Sequence, residues 1–147
     1  MEAKVVSKEL FSVVGYQHYA NLQEIDEQEL GKKALTRLKE NSSLIQNKFG
    51  NEIYLIQTYE QRPNFNPNVD RFNQLIGFRV EAVQNIPKDM VFFEVPASKY
   101  VTVTHRGLEA DLYKTYDYLY GEWLVENPYN YGGFDFEVWD ERYKPED

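Results

Sequence analysis

The chain has 147 residues, 42% apolar and 16% aromatic, which is enough to build the core of one domain. Its 24 acidic residues against 16 basic ones give a net charge of −8, which repels phosphate backbones and anionic lipid, so neither nucleic acid nor membrane is expected as a direct partner. Cysteine is absent, which removes disulfides, thiolate nucleophiles and zinc-thiolate sites, and no stretch approaches the roughly twenty apolar residues of a membrane span; a cytoplasmic protein is expected.

Residues 8–20, KELFSVVGYQHYA, have the β-branched and aromatic content of a strand. Residues 24–48 read as a helix: Leu30, Ala34, Leu35, Leu38 and Ile45 recur at helical spacing, Asp26 with Glu29 resembles a capping box, and Glu29 to Lys33 is a favourable pair four residues apart. Residues 51–60, NEIYLIQTYE, alternate as a strand, and residues 74–83, QLIGFRVEAV, supply another after a polar connection containing Pro63 and Pro67.

After Pro87 the order starts again. Residues 91–107 give one or two strands, residues 108–127 a helix burying Leu112, Tyr116, Leu119 and Trp123 and ending at Asn127-Pro128, and residues 132–143 a strand entered through a glycine pair. The two halves can be overlaid with Phe136, Glu137, Val138 and Trp139 falling on Ile53, Tyr54, Leu55 and Ile56. This predicts an α+β fold, a single domain over residues 1–147 with an internal repeat of strand-helix-strand units, about 1–85 and 90–147. The second half stops at RYKPED, one strand short of that plan, which leaves a sheet edge open to solvent, to a second copy of the chain or to a protein partner.

Alternation places Phe134, Phe136 and Val138 on one face of the last strand, with Asp135, Glu137 and Trp139 on the other. If the apolar set packs under the helices, Glu137 and Trp139 look out from the opposite side, and Tyr54 joins them from the matching strand. A carboxylate among rings suits a lipophilic cation, since rings offer flat apolar contact and a negative π face. Glu122, in YGEWL, is a second candidate carboxylate; Tyr113, Tyr116, Tyr118 and Tyr120 form a stripe of which only some can face a groove. The plain alternative is a surface tryptophan beside a solvated glutamate. His18 and His105 have no metal-ligand spacing, and no GxSxG, GxGxxG or Walker loop occurs, so neither a metal nor a cofactor is expected, and no catalytic motif stands by itself.

VPASKYVTVTHRG, then YDYLYGEWLVEN, then FDFEVWDERYKPED, resembles as an ordered set the gyrase-inhibitor-like (GyrI-like) effector-binding family, which also forms the ligand-binding domain of some AraC-type and MerR-type regulators. The resemblance spans most of the chain and is densest from Val95 to Asp147. It implies two strand-helix-strand-strand modules related by a pseudo-twofold, with a central ligand cleft between them that receives small, often lipophilic and cationic molecules, in agreement with the repeat above. On it, Glu137 takes the acidic cleft position and Trp139 the aromatic one, Trp123 and Leu124 match the family's WL after the second helix, and Tyr120 and Glu122 beside that pair are implied as cleft residues. The first helix lacks the aromatic residues often found there, and the family's last strand is absent after KPED. A stand-alone binding protein that senses or sequesters such molecules, linked to transcription regulation or resistance, is the leading expectation. A hydrolase of reactive cyclopropane-bearing natural products using Glu137, and an acidic protein-interaction module, are the alternatives.

Overall fold

The computed structural model describes residues 3–60, 63–105, 111–123 and 134–139. The elements are β1 (Ala3–Lys8), β2 (Phe11–Ala20), α1 (Leu22–Glu27), α2 (Leu30–Glu40), a 3₁₀ turn (Ser42–Leu44), β3 (Lys48–Thr58), β4 (Phe72–Val80), β5 (Val91–Val95), β6 (Ser98–Val103), α3 (Leu112–Tyr116) with a π-helical continuation (Asp117–Trp123), and β7 (Phe134–Trp139). They fall into two compact units. One comprises Met1–Leu10, Pro96–Tyr131 and Arg142–Asp147, and the other Phe11–Val95 with Gly132–Glu141.

The first unit contains an antiparallel β1–β6 pair, running from Ala3 opposite Val103 to Lys8 opposite Ser98, together with α3 and its continuation. The second contains a five-stranded antiparallel sheet in the order β5-β2-β4-β3-β7. The late strand β7 thus joins strands of the first half of the chain and occupies one edge of their sheet. Residues 140–147, beyond it, lie outside the described residues, as do 106–110 and 124–133, which hold the start and the expected Asn127-Pro128 end of the 108–127 helix and the glycine pair before the strand.

The predicted helix over 24–48 is two helices and a turn. Asn21, with extended backbone, accepts the Glu24 amide on its Oδ1 at 2.8 Å, while its own amide donates to Glu24 Oε1 at 3.1 Å. This capping box puts the N-cap of α1 five residues before the expected Asp26, which lies inside the helix. Glu29 then takes a left-handed conformation, φ 51°, which ends one helix and redirects the chain into the next. That break also removes the expected Glu29–Lys33 pair: Glu29 instead meets Lys32, at 3.7 Å on an exposed surface where such a pair contributes little. The apolar spacing held, with Ala34 and Leu38 buried on α2, Leu35 packed beside them and Ile45 buried just past the helix.

Cross-strand register sorts the five-stranded sheet into two faces. Val14, Tyr16, Leu55, Ile76, Phe78 and Val80 lie on the face covered by α2, where they form a core with Ala34, Leu38, Ile45 and Met90. The other face carries Phe11, Val13, Tyr54, Ile56, Leu75, Phe93, Val95, Phe134 and Phe136. Four inter-strand steps separate β5 from β7, about 19 Å in a flat sheet. Phe93 of β5 and Phe134 of β7 nevertheless touch, with centroids 5.6 Å apart. The sheet therefore curls until its second face is concave, and Val13, Ile56, Leu75 and Val95 are buried within the curl.

Two glycines permit that curl. Gly15 of β2 and Gly77 of β4 are direct partners, and a Cβ on either would collide with the other strand's backbone, at the carbonyl of Ile76 or of Val14.

Candidate functional site

β7 pairs with β3 so that Ile53 faces Trp139, Tyr54 faces Val138, Leu55 faces Glu137 and Gln57 faces Asp135. The expected alternation along β7 is present, but the two faces are reversed. Asp135, Glu137 and Trp139 share the helix-covered face with Leu55 and Ile53, and Trp139 packs, half-buried, against that core. Phe134 and Phe136 turn instead into the concave face. The reason is capacity: α2 covers only one side, and the curl gives the small strand residues a second apolar interior.

Glu137 and Trp139 are brought together. The indole Nε1 donates to Glu137 Oε1 at 3.0 Å, and both side chains are half-buried. The indole fixes the carboxylate against the edge of the core, where partial desolvation strengthens its attraction for a cation. Tyr54 is not part of this arrangement. It is buried on the concave face, where its ring lies 5.5 Å from Phe11 and 6.3 Å from Phe136, with Phe11 and Phe136 themselves 6.0 Å apart.

A polar row on the helix-covered face was not anticipated. His18, Gln74, Gln57 and Asp135 are successive partners across β2, β4, β3 and β7. His18 Nε2 meets Gln74 Oε1 at 2.6 Å, Gln74 Nε2 donates to Gln57 Oε1 at 3.2 Å, and Gln57 Nε2 donates to Asp135 Oδ1 at 2.8 Å. Tyr59 donates its hydroxyl to Asp135 Oδ2 at 3.2 Å. Asp135, when ionised, only accepts, which turns the Gln57 amide towards it, then the Gln74 amide, and leaves a carbonyl oxygen facing His18; the histidine proton is therefore on Nε2. Burial holds the His18 imidazole below its ordinary pKa, and the bond to Gln74 partly offsets this. The sequence signal was there: glutamines inside EIYLIQT and QLIGF interrupt apolar strands at positions that register pairs.

The remaining candidates belong to the first unit. Tyr120 stacks on Tyr116, with centroids 6.3 Å apart and rings nearly parallel, while Glu122 and Trp123 lie in the π-helical continuation with side chains outside the described residues. π-helical turns are rare and occur often at functional sites. His105 Nδ1 meets Thr115 Oγ1 at 2.6 Å. Among the described residues no group of three His, Asp or Glu side chains is placed to hold a metal, and no helix is long and apolar enough to cross a membrane.

Comparison with known proteins adds to this geometry. The sequence pattern of Cass2, described as integron-associated effector binding protein, matches residues 4–146. Transcriptional regulator BrlR of Pseudomonas aeruginosa is 30% identical over 146 residues, which cover 98% of this chain and 50% of the regulator, so the chain spans about half that relative's length. Integron cassette protein VCH_CASS2, from the mobile metagenome of Vibrio cholerae, superposes with a TM-score of 0.64 over 92% of this chain and 86% of its own. At 13% identity this likeness concerns the fold alone, a mixed α/β arrangement of mostly antiparallel sheets with few helices. The match over nearly its whole length means that the chain belongs to the Cass2 family of integron-associated effector binding proteins.

Proposed function

We propose that this protein binds small lipophilic, cationic effectors, as a module that senses or sequesters them, and that within its family it is GyrI-like. The observation that carries this reading is the Glu137–Trp139 pair, a carboxylate held 3.0 Å from an indole nitrogen at the edge of an apolar core. A cation approaching it meets negative charge and a π face together, in surroundings drier than bulk water. The family's effector-binding description agrees with a small-molecule ligand. A role in transcription regulation is proposed by extension from BrlR. Tyr120, Glu122 and Trp123 are proposed as further ligand contacts on the GyrI-like resemblance.

The test is a thermal-shift screen of cationic dyes and drugs against neutral compounds of similar size, since a ligand that binds only the folded state stabilises it by RT ln(1 + [L]/Kd). Stabilisation by cations that the neutral compounds do not reproduce, and that Glu137→Gln diminishes, supports the reading. Equal shifts for both classes count against it.

A further inference from the structure

The concave face of the five-stranded sheet ends in an arginine held by rings. Arg79, next to last in β4 and half-buried, places its guanidinium carbon 4.7 Å from the ring centroid of Phe11 and 4.4 Å from that of Phe49. The ion pairs among the described residues are formed by Lys32, Arg37, Arg71 and Lys114, and Arg79 is in none of them. A chain of net −8 offers carboxylates freely, so a half-buried cation seated on two π faces marks those faces as cation-receptive.

The local backbone explains the placement. β3 slips register against β4 between Lys48 and Ile53, and Gly50 takes φ 77°, which only glycine adopts readily. This irregular stretch lies beside Arg79 and lets Phe49 swing over the guanidinium. Phe11, the first residue of β2, supplies the other ring. The three meet where β2 and β3 begin and β4 ends. Phe49 is 49% exposed, whereas Phe11 continues inward to Tyr54 and Phe136, so the slot joins solvent to the ring-lined interior.

We propose that Phe11 and Phe49 form a cation slot at the end of the concave face, that Arg79 fills it when no ligand is present, and that a planar lipophilic cation binds there by displacing the guanidinium. The ligand class rests on the cationic-effector reading above. The slot does not depend on Glu137, which points through the other face of the sheet. Guanidinium is planar and weakly hydrated, so it stacks between rings where an ammonium would not, yet it returns to water at small cost. Arg79 would then act as an internal competitor: apparent ligand affinity falls in proportion to the fraction of molecules whose slot is vacant.

Two measurements test this. The first is calorimetry with N-methylacridinium, a planar cation, and acridine, its neutral counterpart at pH 8, on wild type, Arg79→Met and Phe49→Ala. Arg79→Met should bind N-methylacridinium roughly two- to tenfold more tightly, with acridine unchanged, and Phe49→Ala should bind the cation more weakly. The second needs no effector: ethylguanidinium chloride should raise the Tm of Arg79→Ala above that in equimolar KCl, by refilling the vacated slot, and leave wild type unmoved. Unchanged or weaker N-methylacridinium binding by Arg79→Met, with no ethylguanidinium rescue of Arg79→Ala, overturns the slot, and the cationic-effector reading survives if Glu137→Gln still weakens cation binding. Rescue without dye binding to any of these proteins overturns the displacement, while the cationic-effector reading is decided by the thermal-shift screen.

Discussion

Tyr54 and Glu137 stand on neighbouring strands one residue out of phase. Tyr54 pairs with Val138, Glu137 pairs with Leu55, and the phenol and the carboxylate therefore point through opposite faces of the sheet. A twofold axis that exchanges two adjacent antiparallel strands runs perpendicular to their sheet and keeps every residue on its own face. The overlay of Phe136 on Ile53 changes face, so it is one residue out of register with any such symmetry, and a one-residue slip inverts every side chain. The two apolar patterns matched because both faces of this curled sheet are apolar.

Separating the faces separates their contributions to binding. Glu137→Gln keeps an oxygen for the Trp139 indole to donate to, so the fold should hold while a cationic ligand loses about 1 to 3 kcal/mol, less than for a fully buried charge pair because the site is half-exposed. A matched neutral ligand should be unaffected. Trp139→Phe should lower the affinity for the cation as well, through loss of the indole π face and of the donor that orients Glu137, with little effect on Tm. Calorimetry of the ligand pair, with a melting curve for each variant, distinguishes these effects; equal losses for both ligands on Glu137→Gln would make the carboxylate structural.

Much of this chain was legible where one local rule acts alone. The apolar spacing of Ala34, Leu35 and Leu38 placed α2, and period-two alternation placed both faces of β7. What escaped depends on chain segments far apart in sequence. Which face of β7 lies under a helix is decided by its pairing with β3, some eighty residues earlier, and the concave core exists only because Gly15 meets Gly77. The Asn21–Glu24 cap has the same spacing as Asp26–Glu29, the pair expected from the sequence, and only the left-handed turn at Glu29 tells them apart. The polar row combines both difficulties: each glutamine reads as an interruption until register puts them side by side.

Gly77→Ala should be among the most disruptive single-methyl additions in the sheet. Its Cβ would meet the Val14 backbone, which cannot rotate away as a flexible side chain could. The strands would have to part, at a cost of about 2 kcal/mol or more. Gly31→Ala on α2, where nothing stands within 4 Å, should instead raise stability by up to about 1 kcal/mol. Urea denaturation of both variants measures the contrast, and a Gly77→Ala variant as stable as wild type would mean that the sheet relaxes without losing its curl.

Leu38→Ala tests the helix-covered core in the same assay. Leu38 is fully buried against the sheet, so truncation removes its contacts and leaves a cavity, at a cost of about 3 kcal/mol. Leu44→Ala, on an exposed side chain, should stay within about 0.5 kcal/mol.

The polar row should behave as one unit, with His18 as its reporter. Gln57→Leu removes the acceptor of Gln74 and a donor to Asp135 within a buried row, and should cost about 1 to 3 kcal/mol. His18 adds a pH dependence whose sign follows from its depressed pKa. In the unfolded chain the imidazole protonates near its ordinary 6.5, whereas in the folded protein it resists until lower pH. Between those values the unfolded state binds more protons. The stability that the neutral His18 contributes is therefore complete above 6.5 and declines as pH falls through that window. Arg71 holds Glu24 below the ordinary carboxylate range, so a separate loss of stability begins only in more acidic solution, below the 4.5 at which an unfolded glutamate titrates. His18→Gln should flatten the first decline and leave the second unchanged, as measured by denaturation midpoints from about pH 7.5 to 3. Nitrogen-detected NMR of the wild-type imidazole should show the Nε2-protonated tautomer, and Asp135→Asn, which frees the amide chain to reverse, should let the Nδ1 form appear. A wild type already in the Nδ1 form would mean that the row does not run from histidine to aspartate.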